Sequence, residues 1–259
     1  MRARDRALIT GASSGIGSAY ARELAINGWD LIITARREEK LRRLAEQLTS
    51  AHEISVEVIP ADLTILTEVN RLEDKIRSDD LVMLVNNAGF GVSGPYHEQT
   101  IDRHQRMIDV HVTATVRLTH AALPVMLLRK RGYIINVSSV AGFLPAGAGP
   151  GYCASKAYLN VFSTNLQSLL SGRGIKVQAL CPGYTYTEFH SSSDYHGNER
   201  EVLPRWLWMT AEDVVRYSLR KLADRKVIAV PGLKNRMIVF FLKSRLAGAV
   251  MSWRNRHSR

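Results

Sequence analysis

Seven short apolar runs are spaced along this chain: Ala7–Thr10, Leu31–Ala35, Ser55–Ala61, Leu81–Asn86, Tyr133–Ser138, Lys176–Cys181 and Val227–Gly232. Between them lie longer stretches of helical period, among them Ile16–Asn27, Glu38–Thr49, Thr64–Arg77, Ile101–Leu128 and Tyr152–Ser171. A strand with one solvated face alternates apolar and polar residues. These runs are almost continuously apolar, as strands covered on both faces are. Strand–helix alternation of that kind predicts an α/β fold, a doubly wound parallel sheet of about seven strands with helices on both faces. No internal repeat, linker or low-complexity stretch divides the 259 residues. The expectation is one domain over 1–232 followed by a basic, apolar helical extension over 233–259.

Charge and cysteine content narrow the function classes. The formal charge of +11 invites a nucleic-acid reading, but nine of the 35 Lys and Arg and none of the 24 acids fall from Arg225 onward. The first 224 residues therefore carry only +2, and no base-reading motif accompanies the basic end, so no nucleic-acid partner is expected. Two cysteines, Cys153 and Cys181, cannot build a disulfide framework. The start lacks the apolar core of a signal peptide, and no run approaches the roughly 18 apolar residues of a spanning helix. A cytoplasmic location is the expectation, with membrane-peripheral placement through the tail as an addition to it.

The first run passes directly into "TGASSGIG", Thr10–Gly17. Glycines at Gly11, Gly15 and Gly17 let a strand turn sharply into a helix and bring backbone N–H groups close to a phosphate. The helix N-terminus adds partial positive charge. This is the phosphate turn of a Rossmann-type dinucleotide site. The second run ends in Ala35, Arg36 and Arg37, where a cofactor lacking a 2′-phosphate would meet a carboxylate. Guanidinium groups there suit a phosphate, so NADP(H) is expected over NAD(H). Asp62, ending the third run, is a candidate for the adenine edge, and Asn87, Ala88 and Gly89 in "NNAG" for the ribose.

Tyr152 and Lys156 in "YCASK" fall one helical turn apart. Alone, such a pair is equally a surface coincidence. In order along the chain, however, stand "TGASSGIG", "DL" at Asp62–Leu63, "NNAG", "NVSS" at Asn136–Ser139, "YCASK" and "PGYTYT" at Pro182–Thr187. Together they resemble the short-chain dehydrogenase/reductase family over nearly the whole chain up to Gly232. The resemblance implies a carbonyl–alcohol oxidoreductase with a nicotinamide cofactor. It implies Ser139 as the catalytic serine, Tyr152 as general acid/base and Lys156 as its partner and a ribose ligand, with Ser138 turned away. It further implies cofactor contacts from Ser13, Ser14, Ile16, Leu63, Pro182, Gly183, Thr185 and Thr187, and a homodimer or homotetramer with the two long helices at its seam. No residue is assigned to a metal. A free phenol ionises near pH 10. Lys156, together with the positive nicotinamide of the oxidised complex, is expected to favour the phenolate.

His111 stands where the family usually has an Asn that anchors a proton-relay water. Three readings stay open: a relay through imidazole, a structural substitute, or a specialised or impaired enzyme. Phe90–Pro95, Phe143–Gly151 and the aromatic-rich Tyr184–Met209 are expected to frame an apolar small-molecule substrate. Packing of those aromatics on themselves or on a partner subunit is the alternative. In the tail, Ile238, Val239, Leu242, Leu246, Val250 and Trp253 fall on one helical arc edged by Lys and Arg, and Met237, Phe240, Phe241 and Met251 lie opposite. One arrangement docks the tail on the body, at the substrate pocket or a partner subunit, and the other lays it on a membrane. Two alternatives also stand: a nucleotide-sensing binding protein without turnover, and a membrane-peripheral scaffold whose catalysis is incidental.

Overall fold

The computed structural model describes residues 4–92, 94–144, 149–191, 203–224 and 226–243. All seven apolar runs are strands of one parallel sheet: β1 (Arg6–Thr10), β2 (Asp30–Thr34), β3 (Val56–Val58), β4 (Leu81–Asn86), β5 (Gly132–Val137), β6 (Ile175–Leu180) and, after a short β7–β8 pair (Thr185–Tyr186 with Met209–Thr210), β9 (Ile228–Ala229). Their order is β3-β2-β1-β4-β5-β6-β9. The order reverses direction between β1 and β4, which opens a crevice at their carboxyl ends.

Successive strand residues point to opposite faces, and both faces are covered. Ala7, Ile9, Ile33, Val85 and Ile135 pack with α1 (Gly15–Ile26), α2 (Glu38–Ala51) and α7 (Ala211–Ala223). Leu8, Ile32, Leu84, Ile134 and Val177 pack with α3 (Leu66–Ser78) and α5 (Ala114–Arg129), and with the C-terminal end of α6 (Pro150–Leu169). That double burial is why the strands lack period-two polarity.

The stretch expected as one helix over Ile101–Leu128 is α4 (Ile101–Ile108) and α5 joined through a wider π-type turn at Asp109–Thr113. A π turn inserts one extra residue and re-aims the side chains on it. His111, on that turn, points into the protein and is 1 % exposed. Helix α6 starts two residues earlier than expected, with Pro150 in its first turn and Gly149 ahead of it at φ +59°. Pro is pre-organised for that position.

The segment read as an extension begins as α8 (Leu233–Lys243). Asn235 and Val239 are 6 % exposed, and Val239 packs with Ala179, Cys181 and Val230. The described part of the arc beginning at Ile238 therefore lies against the body. Leu246, Val250, Met251 and Trp253 lie outside the described residues. Cys153 and Cys181 are both thiols, the second of them buried. Among the described residues no helix is long and apolar enough to cross a membrane.

Candidate active site

The crevice at the β1/β4 switch is a cavity of about 1040 Å³. Gly11, Ser13, Ser14, Gly15 and Ile16 of the turn between β1 and α1 form one end of its lining. Gly11 and Gly15 sit at φ +66° and +55°, a region L side chains rarely adopt. A Cβ on Gly11 would stand 2.8 Å from the Ala88 Cα. Asn87 straps the turn, its Nδ2 donating to the carbonyls of Thr10 and Gly11. Gly17, expected to touch cofactor, does not line the cavity. A Cβ there would lie 2.3 Å from the Gly11 oxygen, so this glycine lets α1 pack tightly behind the turn.

Arg36 and Arg37 line the same cavity, with Asp62, Leu63, Ala88, Gly89, Pro182, Gly183, Thr185 and Thr187. Arg37 donates to Ser13 Oγ and Ser14 Oγ at 2.9–3.2 Å. Asp62 folds back on its own loop, Oδ1 accepting from the Thr64 N–H and hydroxyl. The cradle of positive-φ glycines fits a dinucleotide, and cationic side chains line the same end of the cavity.

Ser139, Tyr152 and Lys156 meet at the cavity's other end. Ser139 precedes a short 3₁₀ turn and accepts from the Ala141 N–H at 3.1 Å, which fixes its rotamer toward the cavity. Ser138 turns inward, donating to the Lys156 carbonyl at 2.8 Å. Lys156 is 4 % exposed and its Nζ donates to the Val137 carbonyl at 2.9 Å. Burial brings its pKa down to about 8. The Tyr152 phenol is pushed up to about 12 by burial, opposed by its hydrogen bond with Ser139. The expected phenolate belongs to the complex with oxidised nicotinamide, whereas in the chain alone burial holds the phenol protonated. Lys156 Nζ stands 5.7 Å from the phenol ring centre, too far to outweigh desolvation of a buried phenolate.

His111 lies behind the cavity, outside its lining. Its Nε2 accepts from the Phe90 N–H at 3.1 Å, so the proton sits on Nδ1 and is donated to Ser155 Oγ at 2.9 Å. Ser155 in turn donates to the Tyr152 carbonyl at 2.8 Å. Both ring nitrogens are committed, and the imidazole ties the loop after β4 to the second turn of α6. Burial, and then the Lys156 charge, hold its pKa well below the usual value, so it is neutral.

On the substrate side, Val92, Leu144, Phe189, Leu207, Ile238 and Leu242 give the cavity an apolar flank. Of the aromatic-rich segment, Phe189 packs on Tyr152 with ring centres 5.9 Å apart. Tyr184 and Tyr186 stack on Trp208 at 5.3 and 5.1 Å. Self-packing and pocket lining thus occur side by side. Tyr195 lies outside the described residues. Sequence reasoning missed Lys40, Glu188 and Asn235 among the lining residues. Asn235, Ile238 and Leu242 recur at helical spacing, a signal that could have placed α8 at the site. Nothing in the sequence pairs Glu188 with residues 148 and 151 positions away.

A family model described as short chain dehydrogenase matches residues 5–196. The chain is 39 % identical over 184 residues to a serine 3-dehydrogenase of Agrobacterium fabrum, covering 70 % of this chain and 72 % of that one. A short-chain dehydrogenase from Sphingobium yanoikuyae in complex with NADPH superposes with a TM-score of 0.84 at 33 % identity, covering 98 % and 96 % of the two chains. A bulky-bulky ketone specific alcohol dehydrogenase from Comamonas testosteroni gives a TM-score of 0.80 at 29 % identity, covering 97 % and 92 %.

Proposed function

The chain belongs to the short-chain dehydrogenase family, and on that footing we propose that it interconverts bulky, apolar carbonyls and alcohols with NADP(H). One observation carries the reading. Ser139, Tyr152 and Lys156 converge on a cavity whose other end holds the glycine turn with Arg36 and Arg37. Bound NADPH supplies the hydride. Gly11, Ser13, Ser14, Gly15 and Ile16 would hold its pyrophosphate, Arg36 and Arg37 its 2′-phosphate, and Asn87–Gly89 and Lys156 its riboses.

The protein's own part is proton delivery and charge stabilisation. Tyr152 gives its proton to the substrate oxygen as the carbonyl is reduced, and takes it back in the oxidation direction. Ser139, already bonded to that phenol, is placed to donate to the same oxygen as charge builds. An ammonium has three donors, of which Val137 takes one. Lys156 therefore keeps two for ribose hydroxyls while its charge lowers the cost of a phenolate. A phenol resting near 12 stays protonated at neutral pH, the state a reductase needs. The apolar flank favours substrates without charge, and the ketone specificity of the Comamonas testosteroni relative agrees with it. Bulky ketones and their alcohols, each run with NADPH and with NADH, test the reading through nicotinamide absorbance. Turnover with any of them removes the nucleotide-sensing alternative.

Assembly and surroundings follow from two exposed apolar faces. Ile101, Ile108, Tyr158, Val161 and Leu169 are exposed on α4 and α6, as a helical seam between two subunits requires. On α8, Leu233, Met237 and Phe240 are 65 %, 51 % and 74 % exposed at i, i+4 and i+7, with Lys234 and Arg236 between them. That outward stripe, in a chain end with nine cations and no acid, supports peripheral contact with an anionic membrane.

A further inference from the structure

Arg37, one of the two cations expected to receive the 2′-phosphate, already holds an anion together with Lys40. Glu188 Oε2 lies 2.6 Å from Arg37 Nη1, and Glu188 Oε1 lies 2.7 Å from Lys40 Nζ. Arg37 reaches from that carboxylate to the hydroxyls of Ser13 and Ser14 in the phosphate turn. The two ion pairs keep Glu188 charged, holding its carboxyl at about 2.

The neighbours of Glu188 in sequence give this pairing a consequence. Thr187 is seated on the phosphate turn, where a Cβ on Gly15 would come within 2.9 Å of its side chain. Phe189 packs on the catalytic phenol, 5.9 Å between ring centres. Three consecutive residues thus run from the phosphate turn, across the cations at the adenosine end, to the face of Tyr152. All three line the same cavity as Arg36, Arg37 and Lys40.

We propose that Glu188 is a specificity-determining residue, a resident carboxylate that competes with the cofactor 2′-phosphate for Arg37 and Lys40 and whose displacement moves Phe189 on Tyr152. A dianionic phosphate and a carboxylate cannot share two cations without repulsion, so a 2′-phosphorylated ligand must expel Glu188 to engage them. A ligand without that phosphate leaves the ion pairs intact and Phe189 in place. The cofactor is thereby distinguished by the state of the tyrosine face as well as by affinity. Arg36, exposed on the same wall, offers the incoming phosphate a first contact before the exchange.

The inference rests on the NADP(H) reading, and the test separates the two. Adenosine 2′,5′-bisphosphate and AMP are titrated into the full chain and into Glu188→Gln, which is isosteric and half-exposed and so keeps the fold. The wild type binds the bisphosphate more tightly than AMP. In Glu188→Gln the bisphosphate tightens by roughly threefold to tenfold, the range two partly exposed ion pairs allow, and AMP stays within about twofold. Hydrogen exchange supplies the second readout. The bisphosphate, and not AMP, changes amide protection over 184–189 in the wild type, and Glu188→Gln shows the changed pattern without ligand. If the wild type does not distinguish the bisphosphate from AMP, the NADP(H) reading fails. If it does, but Glu188→Gln leaves bisphosphate affinity unchanged or weaker, Glu188 aids the phosphate and the competition is wrong. Tighter binding with no change over 184–189 overturns the link to Tyr152.

Discussion

Replacing His111 by Asn tests whether the imidazole is a neutral strut or a titrating relay. In the folded chain Nε2 accepts from Phe90 and Nδ1 donates to Ser155, an arrangement only the neutral ring can satisfy. Burial and the nearby Lys156 keep its pKa well below the ordinary value. In the unfolded chain His111 takes up a proton around pH 6.5. The unfolded state therefore binds more protons as pH falls, and stability drops with it. For a ring that stays neutral in the fold the loss is RT ln(1 + 10^(6.5 − pH)), about 0.4 kcal/mol at pH 6.5 and about 1.4 kcal/mol at pH 5.5. The variant also leaves the Phe90 N–H short of its acceptor, a pH-independent loss of about 1–3 kcal/mol. Urea unfolding of both proteins from pH 8 to pH 5.5 separates the two contributions. The remaining seven histidines are common to both and cancel. Lys156, its pKa depressed to about 8, titrates at the upper edge of this window in both proteins and cancels as well. The expected result is a wild-type advantage that is largest at pH 8 and shrinks by about 1.4 kcal/mol by pH 5.5. An advantage that is constant across the range would refute the neutral strut, because His111 would then charge equally in both states.

Arg36→Asp places a carboxylate beside the expected 2′-phosphate and should weaken NADPH far more than NADH. The wild-type preference is of order 1.5–3 kcal/mol for each charge-assisted hydrogen bond, and equal wild-type affinities would contradict it. Val161→Lys puts a charge into the proposed helical seam, and light scattering should show a dimer or tetramer falling to monomer. A wild type already monomeric at micromolar concentration rejects the seam. Phe240→Glu on the outward stripe of α8 should abolish co-sedimentation with anionic vesicles that the wild type shows at low salt and loses in part at high salt. Absence of wild-type binding at low salt ends the membrane reading.

The sheet was legible because burying both faces favours near-continuous apolar residues, a mark clearest in β4 and weakest in the edge strand β3, which carries Glu57. The phosphate turn and the Tyr152–Lys156 pair were legible because their spacing is local. What was not legible depends on distance through the fold or on competition between terms. The Glu188 pairs join residues 148 and 151 positions apart, and no periodicity reports them. The amphipathic arc of α8 was visible, but which face meets the body depends on Cys181, Val230 and the 3₁₀ turn at Val140–Phe143. The burial that raises the Tyr152 phenol was not visible from its spacing to Lys156, because it depends on what packs around the ring. The π turn that swings His111 inward leaves the helical pattern on either side of it intact.

The central claim is that Tyr152 delivers a proton in NADPH-dependent carbonyl reduction. Its most direct test measures turnover of bulky ketones alongside NADPH affinity, for the wild type and Tyr152→Phe. The wild type should oxidise NADPH in the presence of ketone. Tyr152→Phe should lose about two to four orders of magnitude in kcat while binding NADPH almost as well, because the phenol acts on the substrate oxygen. A Tyr152→Phe enzyme that keeps most of its turnover would contradict the account.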